Sequence, residues 1–455
     1  MKVVLGSWCG TFHRLLLLAF ALLQCIVVTH LSIMIDAANY PGDELAELQR
    51  SLVRYEDSII HDGHSKSSMR DLLQVDEEEN QNSARKKKEN DKAAEEQAKY
   101  AFPSEPYLLG VKINDWDEQR KRWLEANPSM KSMPDGKPRV LIVTGSQPYP
   151  CHSPRGDHFH LRSLKLKIDY ARMHNYEIFY NFVHLDPLFG TYWVKLPTIR
   201  SLMLSHPEIE WLIWVDSDAV FTDMLFEPPF HNLDEAGKHM AMWSGEEGFW
   251  KRKSWVSVNV GVFLIRNCQW SLDLIDKWSP MGPEGPVRVE YGKMLSNFLQ
   301  RYDNYPADDQ SALIYLMLTD KEVMSKIQLV ETEYIISGWW VSIVDTFGRS
   351  VDKYHPGLGD KRWPWITHFT GCSPCSGGNN PEFSYEMCML NITKAFNFAE
   401  NQVLAYMGYE HATLLSAEIV RVRNETTRPL DFVGINPWKE KMAQLAAETA
   451  TAKSS

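Results

Sequence analysis

Two aspartates one residue apart, Asp216-Ser-Asp218, follow directly on the apolar run Trp211-Leu-Ile-Trp-Val215. Carboxylates at that spacing can converge on one cation, and hard oxygen ligands suit Mg2+ or Mn2+. Such a cation neutralises a diphosphate and helps it depart. The alternative is a pair of turn aspartates capping the segment that follows. His368, after Trp365-Ile-Thr367, is a candidate third metal ligand, against the ordinary role of a satisfied structural histidine. Lys195 is a candidate for pairing with phosphate, against a solvated surface lysine. Asp308-Asp309-Gln310 precedes an apolar helical stretch, 312–318. These acids either cap that helix or face a sugar, where paired carboxylates bond hydroxyls and stabilise positive charge at an anomeric carbon. The chain has no GxxxxGK[ST] and no GxGxxG, so nucleotide binding would have to use another device, such as a metal and a lysine.

These residues need elements to carry them. Residues 139–143 read as a buried strand ended by Thr144-Gly145-Ser146. Leu161, Leu164, Ile168 and Ala171 mark a helix face, and 177–182 the next strand. Pro197 suits the first residue of a helix running through Leu204, and Pro207 disfavours its continuation past His206. Residues 211–215 form a third strand. Strands alternating with helices predict an α/β fold with a parallel sheet, whose ligands collect beyond the carboxyl ends of the strands. A strand ending in Asp-Ser-Asp also fits the nucleophile motif of haloacid-dehalogenase-like phosphatases, but there it sits on the first strand, and here two strand–helix units precede it.

The 455 residues are uneven. Residues 1–14 read as a cytosolic tail and 15–35 as a signal-anchor transmembrane helix, with a cleaved signal peptide as the rival. Residues 36–105 form a charged stem that buries too little apolar surface to fold alone. Leu45, Leu48, Leu52, Tyr55 and Ile59 trace a seam of only about two heptads there, fitting a dimerising stem or a transient amphipathic helix. Residues 106–438 have globular texture, and 439–455 a flexible tail. The formal net charge of −11 argues against a nucleic-acid binder. The 16 tryptophans exceed what folding requires, which points to indole faces available for a ligand; Trp339, Trp340, Trp363 and Trp365 cluster near the candidate residues in sequence.

Five cysteines would be luminal: Cys151, Cys268, Cys372, Cys375 and Cys388. Cys372-Ser-Pro-Cys375 can be read as a zinc or redox motif, but an oxidising lumen and the lack of a second CxxC favour structural disulfides with one thiol left over. Asn391-Ile-Thr393 and Asn424-Glu-Thr426 are N-glycosylation acceptors.

Taken in order, several stretches resemble glycosyltransferase family 34, the plant xyloglucan xylosyltransferases and galactomannan galactosyltransferases. They include Asn114-Asp-Trp-Asp-Glu-Gln-Arg120, Gly156-Asp-His158, Lys195-Leu-Pro197, Ser205-His-Pro-Glu208, Asp216-Ser-Asp218, Asn259-Val-Gly261, Arg266-Asn-Cys-Gln-Trp270, Asp308-Asp-Gln310 and Thr367-His-Phe369. The resemblance implies a GT-A fold, a UDP-sugar donor, Mn2+ (or Mg2+), and transfer to O6 of a backbone sugar with retention. By position, Asp216, Asp218 and His368 look like the metal site. Lys195, Ser217, Asn259, Gly371, Trp339 and Trp340 would bind donor or acceptor, and Asp308, Asp309 and Gln310 would lie at the reacting centre. The layout looks like a Golgi type II membrane enzyme, alone or as a homo- or hetero-dimer with related transferases. UDP-xylose with a β-1,4-glucan is preferred over UDP-galactose with mannan, and a non-catalytic organising subunit is the further alternative. Two departures from the xylosyltransferase pattern stand out, Ser337 where a histidine is expected and Ser373 where a lysine is expected.

Overall fold

The computed structural model describes residues 106–331, 336–357 and 362–422. The anchor, the stem, Asn424, most of Gly359-Asp-Lys-Arg-Trp363 and the tail beyond 422 lie outside the described residues. Among the described residues no helix is long and apolar enough to cross a membrane.

The elements that position the site begin with helix α1 (Trp116–Ala126), strand β1 (Val140–Gly145), helix α2 (Pro154–His174) and strand β2 (Glu177–Asn181). Helix α3 (Lys195–Ser205) leads to β3 (Trp211–Val215) and, after a three-residue turn, β4 (Ala219–Phe221). Then come β5 (Met240–Ser244), β6 (Val258–Arg266), α4 (Gln269–Trp278), α5 (Pro286–Phe298), α6 (Asp309–Thr319) and β7 (Ile327–Val330). Strands β8 (Gly338–Trp339) and β9 (Ile366–His368), the long helix α7 (Tyr385–Met407), and the hairpin of β10 (Tyr409–His411) and β11 (Ile419–Arg421) complete the chain.

The main sheet has the order β2-β1-β3-β6-β5-β7. The first three strands pair in parallel, as their alternation with helices predicts. The sheet as a whole is mixed, which corrects the parallel expectation: β6 runs antiparallel to both β3 and β5. Only a single π-helical turn, Gly248–Arg252, lies between β5 and β6, and the chain returns alongside itself instead of crossing over.

Both faces of this sheet are covered. Val140 and Ile142 of β1, with Trp211, Ile213 and Val215 of β3, enter one core with Phe159, Leu166 and Tyr170 of α2 and Phe396 of α7. The intervening Leu141, Val143, Leu212 and Trp214 enter a second core with Ile199 and Leu202 of α3 and Ile314 of α6. Side chains alternate across a strand, so a strand apolar at every position feeds two cores, as the continuous run at 211–215 requires. Tryptophan is largely spent here: Trp193, Trp211, Trp278, Trp340 and Trp365 are fully buried.

Helix α3 starts two residues before Pro197, out of a 3-10 turn over Thr191–Val194, so the proline sits inside the first turn, where its missing N–H costs nothing. Two disulfides close the region after β9. Cys151 pairs with Cys375 and Cys372 with Cys388, so the two cysteines of the CxxC each bond elsewhere. Among the described residues Cys268 is the free thiol, and it is buried. Gly156 is needed beneath the first bridge, since a Cβ there would strike Cys151 and the Pro374–Cys375 backbone.

Candidate active site at the end of the third strand

The Asp-Ser-Asp turn lies where the chain leaves the main sheet for a second, three-stranded sheet ordered β4-β9-β8. Asp216 N donates to Gly261 O of β6 at 2.8 Å, and Ala219 N closes the turn on Asp216 O at 3.1 Å. In the small sheet Ala219 is registered against His368, and His368 against Trp339. This pairing brings a residue 150 positions away beside Asp218: His368 Nε2 is 3.2 Å from Asp218 Oδ1. One ligand atom each from Asp216, Asp218 and His368 lies within 4.8 Å of the other two. Two carboxylate oxygens and an imidazole nitrogen converging this way fit a divalent cation such as Mn2+. Neither aspartate caps a helix, so the capping alternative fails; Asp216 Oδ1 instead accepts from Trp214 Nε1 at 2.6 Å. Gly261 makes room for the cluster, because a Cβ there would overlap the His368 ring and the Asp216 carboxylate.

Several neighbours hold these ligands in place. Asn259 Oδ1 is 3.1 Å from His368 Nδ1 and also accepts from Gly261 N at 3.0 Å. Committed as an acceptor, it assigns a proton to His368 Nδ1 and leaves Nε2 as the nitrogen that faces Asp218. Ser337 Oγ approaches the same Nδ1 at 3.3 Å. Asn259 thus meets a proposed metal ligand directly. Behind the turn, the Ser217 carbonyl accepts from Ser163 Oγ at 2.8 Å and from Lys167 Nζ at 3.3 Å, both on α2. Burial pushes the Lys167 ammonium down to about 7, against the pull of Asp218 and Asp216. Ser163 and Lys167 escaped sequence reasoning because a lysine on an otherwise amphipathic helix gives no sign of being buried.

Lys195 is buried at 1% exposure, which overturns the solvated-lysine reading. Its Nζ contacts Asp309 Oδ2 at 2.6 Å, Val260 O at 3.0 Å and Asp216 Oδ1 at 3.6 Å. It therefore ties the metal-site turn to the start of α6. Burial raises Asp309 to about 6 even though Lys195 opposes the shift. Burial disfavours the charge on Lys195, but Asp216 and Asp309 outweigh it and hold the ammonium above its ordinary value. Asp308 performs the capping predicted as one alternative, accepting from Ser311 N at 2.7 Å while its other oxygen meets Arg301 at 3.0 Å. Gln310 spans two backbones, donating to Trp255 O at 2.7 Å and accepting from Val260 N at 3.3 Å. Burial works against charge on His368 and Asp218 alike, yet each sustains the other: His368 is raised and Asp218 lowered.

The remaining sequence candidates divide. Trp339 is half exposed beside His368. Trp340, Trp363 and Trp365 are core residues and offer no face to a ligand; the Trp340 indole is spent on Thr370 O and the Trp363 indole on Thr222 O. Gly371 turns the chain after β9 at φ 86°. Asn391 is a buried position inside α7 whose amide donates to Met387 O at 2.9 Å, so the folded helix does not present it as a glycan acceptor.

The model of the galactosyl transferase GMA12/MNN10 family matches residues 136–379. The chain is 52% identical over 332 residues to "Probable xyloglucan 6-xylosyltransferase 5" of Arabidopsis thaliana, covering 73% of this chain and 72% of that protein. It is 49% identical over 319 residues to "Xyloglucan 6-xylosyltransferase 4" of the same plant, covering 70% and 61%. A solved glycosyltransferase involved in glycosylation of the major capsid of PBCV-1 is similar over 52% of this chain and 95% of its own, at 16% identity and a TM-score of 0.34. With more than half of its length matched by the family model and its carboxylate–imidazole cluster assembled, the chain belongs to glycosyltransferase family 34.

Proposed function

We propose that this protein is a UDP-sugar glycosyltransferase that moves xylose from UDP-xylose to O6 of glucose in a β-1,4-glucan backbone, with retention at the anomeric carbon. The observation that carries the reading is the convergence of Asp216, Asp218 and His368 in a chain half identical to xyloglucan xylosyltransferases. Those three residues would hold Mn2+ in a GT-A-type domain. When bound, the ion neutralises the diphosphate leaving group. Asn259 orients His368, while Lys195 keeps Asp309 and Asp216 in register. Asp308 and Asp309 are both engaged by cations, so neither stands free as a covalent nucleophile. That supports front-face displacement: the acceptor O6 attacks as the UDP bond breaks, and its proton passes to the departing phosphate oxygen. Residues 15–35 would anchor the enzyme in the Golgi membrane with 106–438 in the lumen.

The family model's galactosyl description keeps UDP-galactose with mannan as the second reading. The two donors differ by one substituent on the sugar ring, which a few pocket contacts can discriminate. The test incubates the purified luminal domain with Mn2+, each UDP-sugar, and cello- or manno-oligosaccharides, and reads products by mass spectrometry. A pentose added to cellohexaose by the wild type and not by Asp218→Ala is expected. Hexose addition to mannan oligomers alone would replace the reading, and equal activity in Asp218→Ala would remove the metal assignment.

A further inference from the structure

With three of the four candidate tryptophans buried, the site needs another surface for a flat polysaccharide. Two loops beside Gln310 supply one. The first, between β5 and β6, contains a π-helical turn at Gly248–Arg252 and Lys253 at φ 49°. The second, between α5 and α6, has Asn304 at φ 57° and runs straight into Asp308. Non-glycine residues in the left-handed region mark loops whose path is dictated by their surroundings. The two loops are joined as one unit: Trp255 N donates to Gln300 O at 3.2 Å and Gln300 N to Lys253 O at 3.0 Å.

On this unit the Trp255 ring meets Tyr302 at 5.5 Å, edge to face, and Tyr305 at 6.4 Å. Tyr302 is 68% exposed and Tyr305 40%. Large aromatics gain from burial, so an exposed group of them, held at fixed angles by hydrogen-bonded loops, is a surface kept for something else. The rings frame a corner in which Trp255 is partly buried and Tyr302 and Tyr305 are exposed. The corner is wired to the reacting centre at two points. Trp255 O accepts from Gln310 Nε2 at 2.7 Å. Arg301, whose guanidinium lies 5.4 Å from the Tyr305 ring, pairs with Asp308 at 3.0 Å.

We propose that Trp255, Tyr302 and Tyr305 form a binding subsite for the neutral glucan acceptor, a proposal that rests on the glucan reading above. Sugar rings in a β-1,4-glucan present flat faces of axial C–H bonds that stack on indole and phenol rings, while their equatorial hydroxyls remain solvated. The site's carboxylates handle the donor and its metal; this corner offers an exposed aromatic surface on the loops bonded to Gln310, where an uncharged partner is bound by contact area.

The test measures cellohexaose binding to the luminal domain by calorimetry, without donor, for wild type, Trp255→Ala, Tyr302→Ala and Tyr302→Phe. Tyr302 is exposed, so its variants keep the fold even if Trp255→Ala does not. We expect about fivefold weaker binding in Tyr302→Ala and near wild-type binding in Tyr302→Phe, which keeps the ring. Equal affinity in wild type and Tyr302→Ala overturns the subsite, as does no binding by the wild type. Unchanged cellohexaose binding together with loss of retention on phosphatidylserine vesicles would reassign the corner to a membrane surface. Failure of the glucan reading shows separately, as a wild type that binds cellohexaose but transfers no pentose to it.

Discussion

Strand β3 carries a charged cluster at each end, and the two are built on opposite principles. At its start, Glu210 is clamped by Arg120 at 2.7 Å and by Arg266 at 2.6 and 2.9 Å. Around it Trp116 bonds Asn267 and Gln269, and Gln269 N bonds Asp117. Glu210 and both arginines there have an opposite charge at short range. At the far end, Asp216, Asp218, Asp308 and Asp309 face Lys195, Lys167, Arg301 and one histidine, with Lys195 shared between two of the acids. The motif stretches of the family fall at both ends: Asn114–Arg120 and Arg266–Trp270 assemble the first, Asp216–Asp218 and Asp308–Gln310 the second. Resemblance alone does not separate a motif that locks the fold from one that does chemistry; the balance of charge does.

The widest separation of the two ends comes from one substitution in each. Asp218→Asn should lower transfer by about a thousandfold, the several kcal/mol a cation's ligand supplies to a departing diphosphate. Its melting temperature should fall by only a few degrees, because the isosteric amide loses the pairing with His368 but also removes a buried charge. Glu210→Ala should do the reverse, costing about 2–3 kcal/mol of stability by leaving Arg120 without a carboxylate and Arg266 with Asp234 alone, with turnover per folded molecule unchanged. Paired activity assays and calorimetry decide it. An Asp218→Asn protein that unfolds but keeps its activity when folded would mean the two ends are alike.

The same division explains what could be read from sequence. The run 211–215 and its Asp-Ser-Asp ending were legible because an apolar strand and a charged turn are local signals. The register that sets His368 against Ala219 is not local: it depends on a second sheet made of two- and three-residue strands, too short to leave a period. The antiparallel β6 was missed for a related reason, since strand–helix alternation speaks only for β1 to β3. Burial of Lys195 and Lys167 runs against their residue type and follows from the acids that tertiary packing brings to them. The tryptophan excess went largely into the cores, where Trp340, Trp363 and Trp365 lie, because count does not tell a core indole from an exposed one such as Trp339.

A third cluster tests whether closed charge networks account for stability away from the site. Glu400 of α7 meets Arg162 at 3.0 Å, Lys165 at 2.8 Å and His411 at 3.1 Å, joining α7 to α2 and β10. Burial alone would raise its carboxyl, but these donors hold it down to about 2. A depressed folded-state pKa gives stability that is complete above the unfolded value near 4.5 and is lost as pH falls toward 2. Wild type should therefore exceed Glu400→Gln by about 2 kcal/mol at pH 7, by about half of that at pH 3 and by little at pH 2. Urea unfolding of both proteins across that range measures the difference. A gap that does not change with pH would assign the effect to packing.

Closest to the site the expected effects become smaller and more discriminating. Asn259→Ala should weaken Mn2+ binding by about tenfold, read by electron paramagnetic resonance of free Mn2+, because the His368 ring loses the acceptor that fixes its tautomer.

Ser337 stands 3.3 Å from the same Nδ1 and offers the finest test. That nitrogen carries one proton, and Asn259 is the better placed to receive it, at 3.1 Å and with its oxygen aligned by Gly261 N at 3.0 Å. The Ser337 hydroxyl rotates freely about its own bond and can turn away at little cost. Ser337→Ala should then change Mn2+ affinity by about twofold or less, within the net worth of one weak hydrogen bond. The pair of variants also tests the tautomer itself. If Ser337→Ala loses tenfold while Asn259→Ala loses nothing, the hydroxyl is what holds the ring, and Asn259 is free to face the donor sugar as its motif position implies. The serine that replaces an expected histidine would then be a working part of the metal site, and the balanced end of β3 would remain the only one whose charges are all accounted for by the fold.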